Sequence, residues 1–148
     1  MSTQTSAKSE LLERYGLYFS WLIALFATGG SLYFSEIMGF GPCTLCWVQR
    51  IFMYPLVVIL GIASYRNDRQ IITYVLPLTL IGGCIALFQY LQQKIPALAS
   101  AVPCKVGVPC NFEYINWFGF VTIPFLSLTA FTLITIILWL SRASNPNK

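Results

Sequence analysis

Charge is so sparse along this chain that the gaps between charged residues mark out its elements. No Asp, Glu, Lys or Arg occurs from Tyr15 to Ser35, from Gln70 to Gln93 or from Tyr114 to Ser141, and from Cys46 to Tyr65 the single exception is Arg50. About 20 consecutive apolar residues suffice to cross a hydrocarbon core ~30 Å thick. The pattern therefore predicts helices near residues 17–38, 46–65, 71–92 and 118–140, an all-α membrane bundle of four spans forming one domain over residues 1–148. Each run is too long and too uniformly apolar for the face-by-face alternation of a barrel strand. Lys8 and Arg14 precede the first run as they would a secretory signal. That run outlasts the apolar core of about 7 to 15 residues usual for a signal and lacks a small-x-small cleavage site followed by a soluble domain, so it is read as a retained helix.

An even number of crossings places both termini on one side with the Arg66-Asn67-Asp68-Arg69 turn. Lys8, Arg14, Arg66, Arg69, Arg142 and Lys148 gather there, whereas the other side has Lys94 and Lys105, with Arg50 near its boundary. The positive-inside rule puts the richer side, and with it both termini, in the cytoplasm. The outer side then receives a short loop, Gly39 to Thr44, and a longer one, Lys94 to Trp117. Aromatic residues suit two interfaces, with Trp47, Tyr90, Tyr114 and Trp117 toward the outer edge and Tyr15, Tyr18, Trp21, Tyr65 and Trp139 toward the inner one. Gly29/Gly30 and Gly82/Gly83 are candidate points of close helix approach, and Pro55, Pro77 and Pro124 are candidate kinks.

Composition narrows the chemistry. The chain is 57% hydrophobic and 9% charged, against roughly a quarter charged in soluble domains, which excludes an ordinary soluble globule. A net charge of +4 carried by scattered basic residues lacks the stripe that a nucleic-acid partner requires. The absence of histidine removes imidazole acid/base catalysis, Ser-His triads and the commonest metal ligand. Cysteine is what remains, five in number.

Cys43 and Cys46 form a C-x-x-C where the outer loop enters the second helix. Unpaired N–H groups and the positive dipole end at a helix start favour thiolate, the species that attacks disulfides. Arg50, one turn beyond Cys46 on the same face, is either a functional cation or a snorkelling anchor. The second pair, Cys104 and Cys110, lies in the long outer loop, where Val-Pro-Cys occurs twice around Gly107. Proline biases its neighbour toward extended backbone, so the segment is expected to be an exposed loop able to lie in the groove of another protein. Lys105 beside Cys104 favours a thiolate there. Three readings fit these four cysteines. Structural staples closing rings of about four and seven residues contribute only ~2 to 2.5 kcal/mol each. A zinc site must accommodate a C-x5-C spacing and two pairs parted by membrane helices. A redox relay fits the compartment and the helix-start placement best. Cys84, deep in the third span, reads as a buried small hydrophobe.

A relay needs an electron sink, and the chain has no G-x-G-x-x-G, no C-x-x-C-H and no histidine ligand for nucleotide, flavin or haem. A lipid-soluble quinone needs only an apolar groove and a polar contact for its carbonyl oxygen, a contact that Arg50 beneath Cys46 is placed to supply.

The run Gly41-Pro42-Cys43-Thr44-Leu45-Cys46-Trp47-Val48-Gln49-Arg50-Ile51-Phe52-Met53-Tyr54-Pro55 closely resembles the second-helix signature of the bacterial disulfide bond formation protein B (DsbB) family. The resemblance extends over the whole chain, including the second cysteine pair in the outer loop. It implies a thiol:quinone oxidoreductase of the bacterial cytoplasmic membrane, with its redox cysteines on the outer face, that reoxidises an extracytoplasmic thioredoxin-fold partner from the membrane quinone pool. By the same resemblance Cys46 is the quinone-proximal thiol, Arg50 the quinone-side cation and Cys43 the cysteine that exchanges with the outer loop. Cys104 bonds to the partner and Cys110 resolves that bond. Only Lys105 to Pro109 separate the outer cysteines, which looks like the Gram-positive, BdbC-like branch and implies menaquinone as acceptor, with ubiquinone the alternative. Two other readings are a vitamin K epoxide reductase-like oxidant, whose quinone-side C-x-x-C sits late in the bundle, and a non-catalytic tetraspanning protein with structural disulfides.

Overall fold

The computed structural model describes residues 2–99 and 122–143. Four of its helices are long and apolar enough to cross a membrane, over Arg14–Ile37, Thr44–Arg66, Ile72–Lys94 and Ile123–Ala143. The first helix, α1, spans Ser2–Leu32 and continues into a π-helical turn, Tyr33–Ile37. It starts well before the expected residue 17 because Ala7, Lys8, Glu10, Leu11 and Leu12 are good helix formers and no Gly or Pro interrupts them. Gly39, at φ +69°, then turns the chain toward α2.

The second helix, α2 (Thr44–Arg66), ends on Asn67, whose left-handed backbone (φ 52°, ψ 38°) lets its N–H reach the Ala63 carbonyl. The third, α3, spans Ile72–Lys94, a one-turn α4 follows at Pro96–Ala99 inside the expected outer loop, and α5 spans Ile123–Ala143. The expected start of the last helix at residue 118 lies outside the described residues. Pro124 belongs to the first turn of α5, where an amide N–H has no intrahelical partner to lose, so it opens the helix instead of kinking it. Pro55 and Pro77 do lie inside α2 and α3.

In cross-section the helices form a ring in which α1 packs on α2 and α5, and α3 packs on the same two. The buried positions of α2 (Met53, Leu56, Leu60, Ala63) and of α5 (Phe131, Ile134, Leu138, Ser141) recur every three or four residues, one stripe per helix. Large apolar side chains such as Ile51, Val58, Ile62 and Leu80 point outward, as lipid-facing positions do where the solvent is hydrocarbon. A Cβ on Gly82 would come within 2.5 Å of the Phe131 ring, so this glycine admits the fully buried ring between α3 and α5. A neighbouring hydroxyl contact, Thr135 Oγ1 to Thr79 Oγ1 at 3.0 Å, joins the same two helices.

Trp21 packs against Gly61 near the Arg66 end of α2. Two expectations are corrected. Gly29 and Gly30 meet nothing among the described residues within 4 Å of a built Cβ, so no described helix approaches closely at them. Cys84 is exposed on the outer face of α3 and is not buried. In a helix apolar on every side, sequence carries no signal of which face meets protein and which meets lipid.

Candidate redox site

The site is built at the end of the bundle where α2 begins. Pro42 disfavours helix at the preceding residue, and Cys43 is the N-cap of α2, with extended backbone (φ −75°, ψ 171°). Its Sγ accepts the Cys46 N–H at 3.3 Å, so sulfur takes the place that a serine or aspartate oxygen usually fills. The C-x-x-C spacing thereby returns Cys46 to the cap, and the two Sγ atoms lie 2.8 Å apart as hydrogen-bonded thiols. Cys43 is buried. Its hydrogen bond to Cys46 and that burial hold the Cys43 thiol above the ordinary thiol range.

Two residues not singled out from sequence complete the pair's surroundings. Gln89 of α3 donates Nε2–H to Cys43 Sγ at 3.1 Å and to Cys46 Sγ at 3.2 Å. Gln49 of α2 donates to Gln89 Oε1. A signal for them existed: amides are costly inside an apolar span unless hydrogen-bonded, and Gln89, Gln92 and Gln93 crowd one end of the third run while Gln49 sits next to Arg50.

Arg50 reaches across to α1. Nε donates to Ser31 Oγ at 3.0 Å, Nη2 to the Ser31 carbonyl at 3.1 Å and Nη1 to Ser35 Oγ at 3.4 Å, while the guanidinium lies 5.5 Å from the Trp47 ring centroid. These acceptors are neutral, so the positive charge remains available to a ligand or a thiolate. The structure thus brings Cys43, Cys46 and Arg50 together. Cys104 and Cys110, the other predicted site residues, and Lys105 lie outside the described residues.

A cavity of about 440 Å³ opens between α1, α2 and α5 and touches both cysteines and Arg50. That volume falls within the ~300 to 1,000 Å³ of small-molecule pockets. Apolar side chains including Phe26, Phe34, Met53 and Leu133 form most of its wall. Tyr54 and Thr122 also line it, and their buried hydroxyls have no hydrogen-bond partner among the described residues. Among the described residues this apolar slot presents the Arg50 cation, the Tyr54 and Thr122 hydroxyls and the thiol pair, a set that suits a flat ligand carrying carbonyl oxygens. Among the described residues no three His, Cys, Asp or Glu side chains converge as a metal site would require.

Comparison with known proteins agrees with this chemistry. A family model described as disulfide bond formation protein DsbB matches residues 13–141. The chain is 58% identical over 126 residues to disulfide bond formation protein C of Bacillus subtilis (strain 168), covering 85% of this chain and 91% of that protein. It is 54% identical over 127 residues to probable disulfide formation protein C 1 of Bacillus anthracis, covering 86% and 91% respectively. A probable disulfide formation protein of Coxiella burnetii (strain RSA 493 / Nine Mile phase I) is 49% identical over 124 residues, covering 82% of this chain and 84% of that protein. No solved structure gives a significant match.

Proposed function

This chain belongs to the DsbB family of disulfide bond formation proteins, four-span membrane oxidoreductases that generate disulfides, and from that premise we propose that it reoxidises a thioredoxin-fold dithiol outside the cytoplasm and passes the electrons to membrane quinone. Membership sets aside the vitamin K epoxide reductase-like and non-catalytic readings. The observation that carries the proposal is the shared wall of the cavity, where the Cys43/Cys46 pair and Arg50 meet one apolar space of small-molecule size.

One thiolate of the partner attacks the outer Cys104–Cys110 disulfide at Cys104 and releases the Cys110 thiolate, and the partner's second thiol then displaces Cys104, so the partner leaves as a disulfide and its two electrons stay in the outer dithiol. The resulting outer dithiol then reduces a Cys43–Cys46 disulfide by the same exchange, entering through Cys43. Cys46 faces the cavity as the last thiol of the relay. A quinone bound there supplies an acceptor for two electrons and two protons, the quantity that two thiols release on forming a disulfide. Arg50 is the cation placed to hold one of its carbonyl oxygens, and the Tyr54 and Thr122 hydroxyls fit further polar atoms of its ring. Menaquinone is the acceptor we propose, with ubiquinone the alternative, on the shortness of the outer cysteine spacing. The excess of basic residues at the other end of the bundle favours cytoplasmic termini and an outward-facing redox site.

Cys110→Ser tests the outer half of this relay and its side of the membrane. In this variant the Cys43–Cys46 disulfide supplies the oxidising equivalent through Cys104, and a partner whose second cysteine is replaced is expected to remain on Cys104 as a mixed disulfide under acid quench, because neither Cys110 nor the partner can displace it. Cys104 is expected to react with a membrane-impermeant thiol reagent in intact reduced cells. A partner attached to Cys43, or labelling only after cells are opened, reverses the assignment.

A further inference from the structure

The thiol pair has to exist as an anion at some point in its cycle, and this chain has no histidine to assist. Of the charged groups at this end of the bundle among the described residues, Glu36, Arg50 and Lys94, only Arg50 lines the cavity with the pair, and three of its five N–H groups are directed to Ser31 and Ser35. The donor in contact with both sulfurs is Gln89. Its other amide end is taken, because Gln49 donates to Oε1, so the amide is held with its nitrogen toward sulfur. Gln89 is 1% exposed and Gln49 6%, so neither side chain serves to hydrate the surface.

We propose that Gln89 is a catalytic residue of the Cys43/Cys46 pair, its amide stabilising the reduced, anionic form, and that Gln49 is a positioning residue that fixes the direction of that amide. A thiolate is a strong hydrogen-bond acceptor and a disulfide sulfur a weak one, so a fixed donor favours the dithiol side of the equilibrium. The pair becomes a better electron acceptor from the outer cysteines and a more ready thiolate once reduced. Its neutral donor neither gains nor loses a proton, so the two protons released on disulfide formation leave by the same route as in the proposed function. The inference takes from that proposed function only that Cys43 and Cys46 cycle between dithiol and disulfide.

The test uses the full-length protein in detergent, stripped of quinone and without a partner, so that it reads the pair even if the acceptor is not a quinone. Two quantities are measured by peptide mapping: the pH midpoint for alkylation of the reduced pair by iodoacetamide, and its dithiol/disulfide ratio in glutathione buffers. Gln89→Leu is expected to raise the midpoint by about one pH unit and to lower the dithiol/disulfide ratio about tenfold, as loss of one hydrogen bond to a charged group implies. Gln89→Glu keeps the acceptor for Gln49 but turns a carboxylate on the sulfurs, so its shift is expected to be larger. Gln49→Glu touches neither sulfur in the structure, yet it offers Gln89 an acceptor where a donor stood. The Gln89 amide then turns over, presents its oxygen to the sulfurs and moves both readouts in the same direction. If the glutamines are only a brace between α2 and α3, Gln89→Leu lowers thermal stability while both readouts stay at wild-type values and Gln89→Glu behaves as wild type, a result that overturns the proposal. Should Gln89→Leu fail to fold, unchanged readouts in Gln89→Glu and Gln49→Glu overturn it equally.

Discussion

Cys46→Ser is expected to reduce steady-state quinone reduction to the uncatalysed level, a fall of at least about 10³-fold, because a hydroxyl is neither an accessible anion near neutral pH nor able to form the inner disulfide. The fold should survive the change. Cys43 caps α2 by accepting the backbone N–H of residue 46, which serine retains, and the Gln89 amide keeps Cys43 Sγ as a partner. An outer Cys104–Cys110 disulfide formed beforehand can still oxidise one equivalent of partner dithiol, so acid-quenched thiol counts should show a single turnover and then a stop. Multiple turnovers with quinone in this variant would remove Cys46 from the relay.

Arg50→Met is the second large effect, and it separates binding from thiol chemistry. The substitution removes three hydrogen bonds that tie α2 to Ser31 on α1 and Ser35 on the π-helical turn after it, together with the Arg50 cation on the cavity wall. A hydrogen bond from a charged donor is worth about 1.5 to 3 kcal/mol, so the apparent KM for quinone should rise roughly 10- to 100-fold. Oxidation of the partner by a preformed outer disulfide needs no quinone and should be unchanged. Arg50→Lys keeps the charge but not the planar fork, and an intermediate KM is expected. If Arg50 were solely a headgroup anchor, Arg50→Met would lower the amount of inserted protein and leave the KM of the remainder at the wild-type value.

The spans and the inner cysteine pair were legible in the sequence for a common reason: each depends on local pattern. Twenty uncharged residues define a crossing wherever they occur, and C-x-x-C at a helix start brings two sulfurs together through the cap geometry of a single turn. What escaped depends on how helices face one another. Gln49 and Gln89 are parted by 40 positions along the chain, and nothing local says that the two amides meet beneath the same sulfurs. The helix rotations that expose Cys84 and leave Gly29 and Gly30 without close neighbours among the described residues were hidden for a related reason. Lipid and protein core are both apolar, so a membrane helix lacks the polar stripe that orients a helix in water. The early start of α1 was missed because hydropathy locates the membrane segment and not the helix, which continues into polar sequence as long as no breaker intervenes.

The central claim is that dithiol electrons leave the Cys43/Cys46 pair for quinone in the adjoining cavity, and the measurement that tests it most directly is stoichiometric. Purified full-length protein would be given a reduced thioredoxin-fold dithiol and a defined amount of menaquinone under anaerobic conditions, with thiols counted after acid quench and quinone followed by its absorbance. The expected result is one quinone reduced for each disulfide formed, proceeding until the quinone is exhausted. Disulfide formation that continues at the same rate without quinone, or that leaves the added quinone oxidised, would contradict the account.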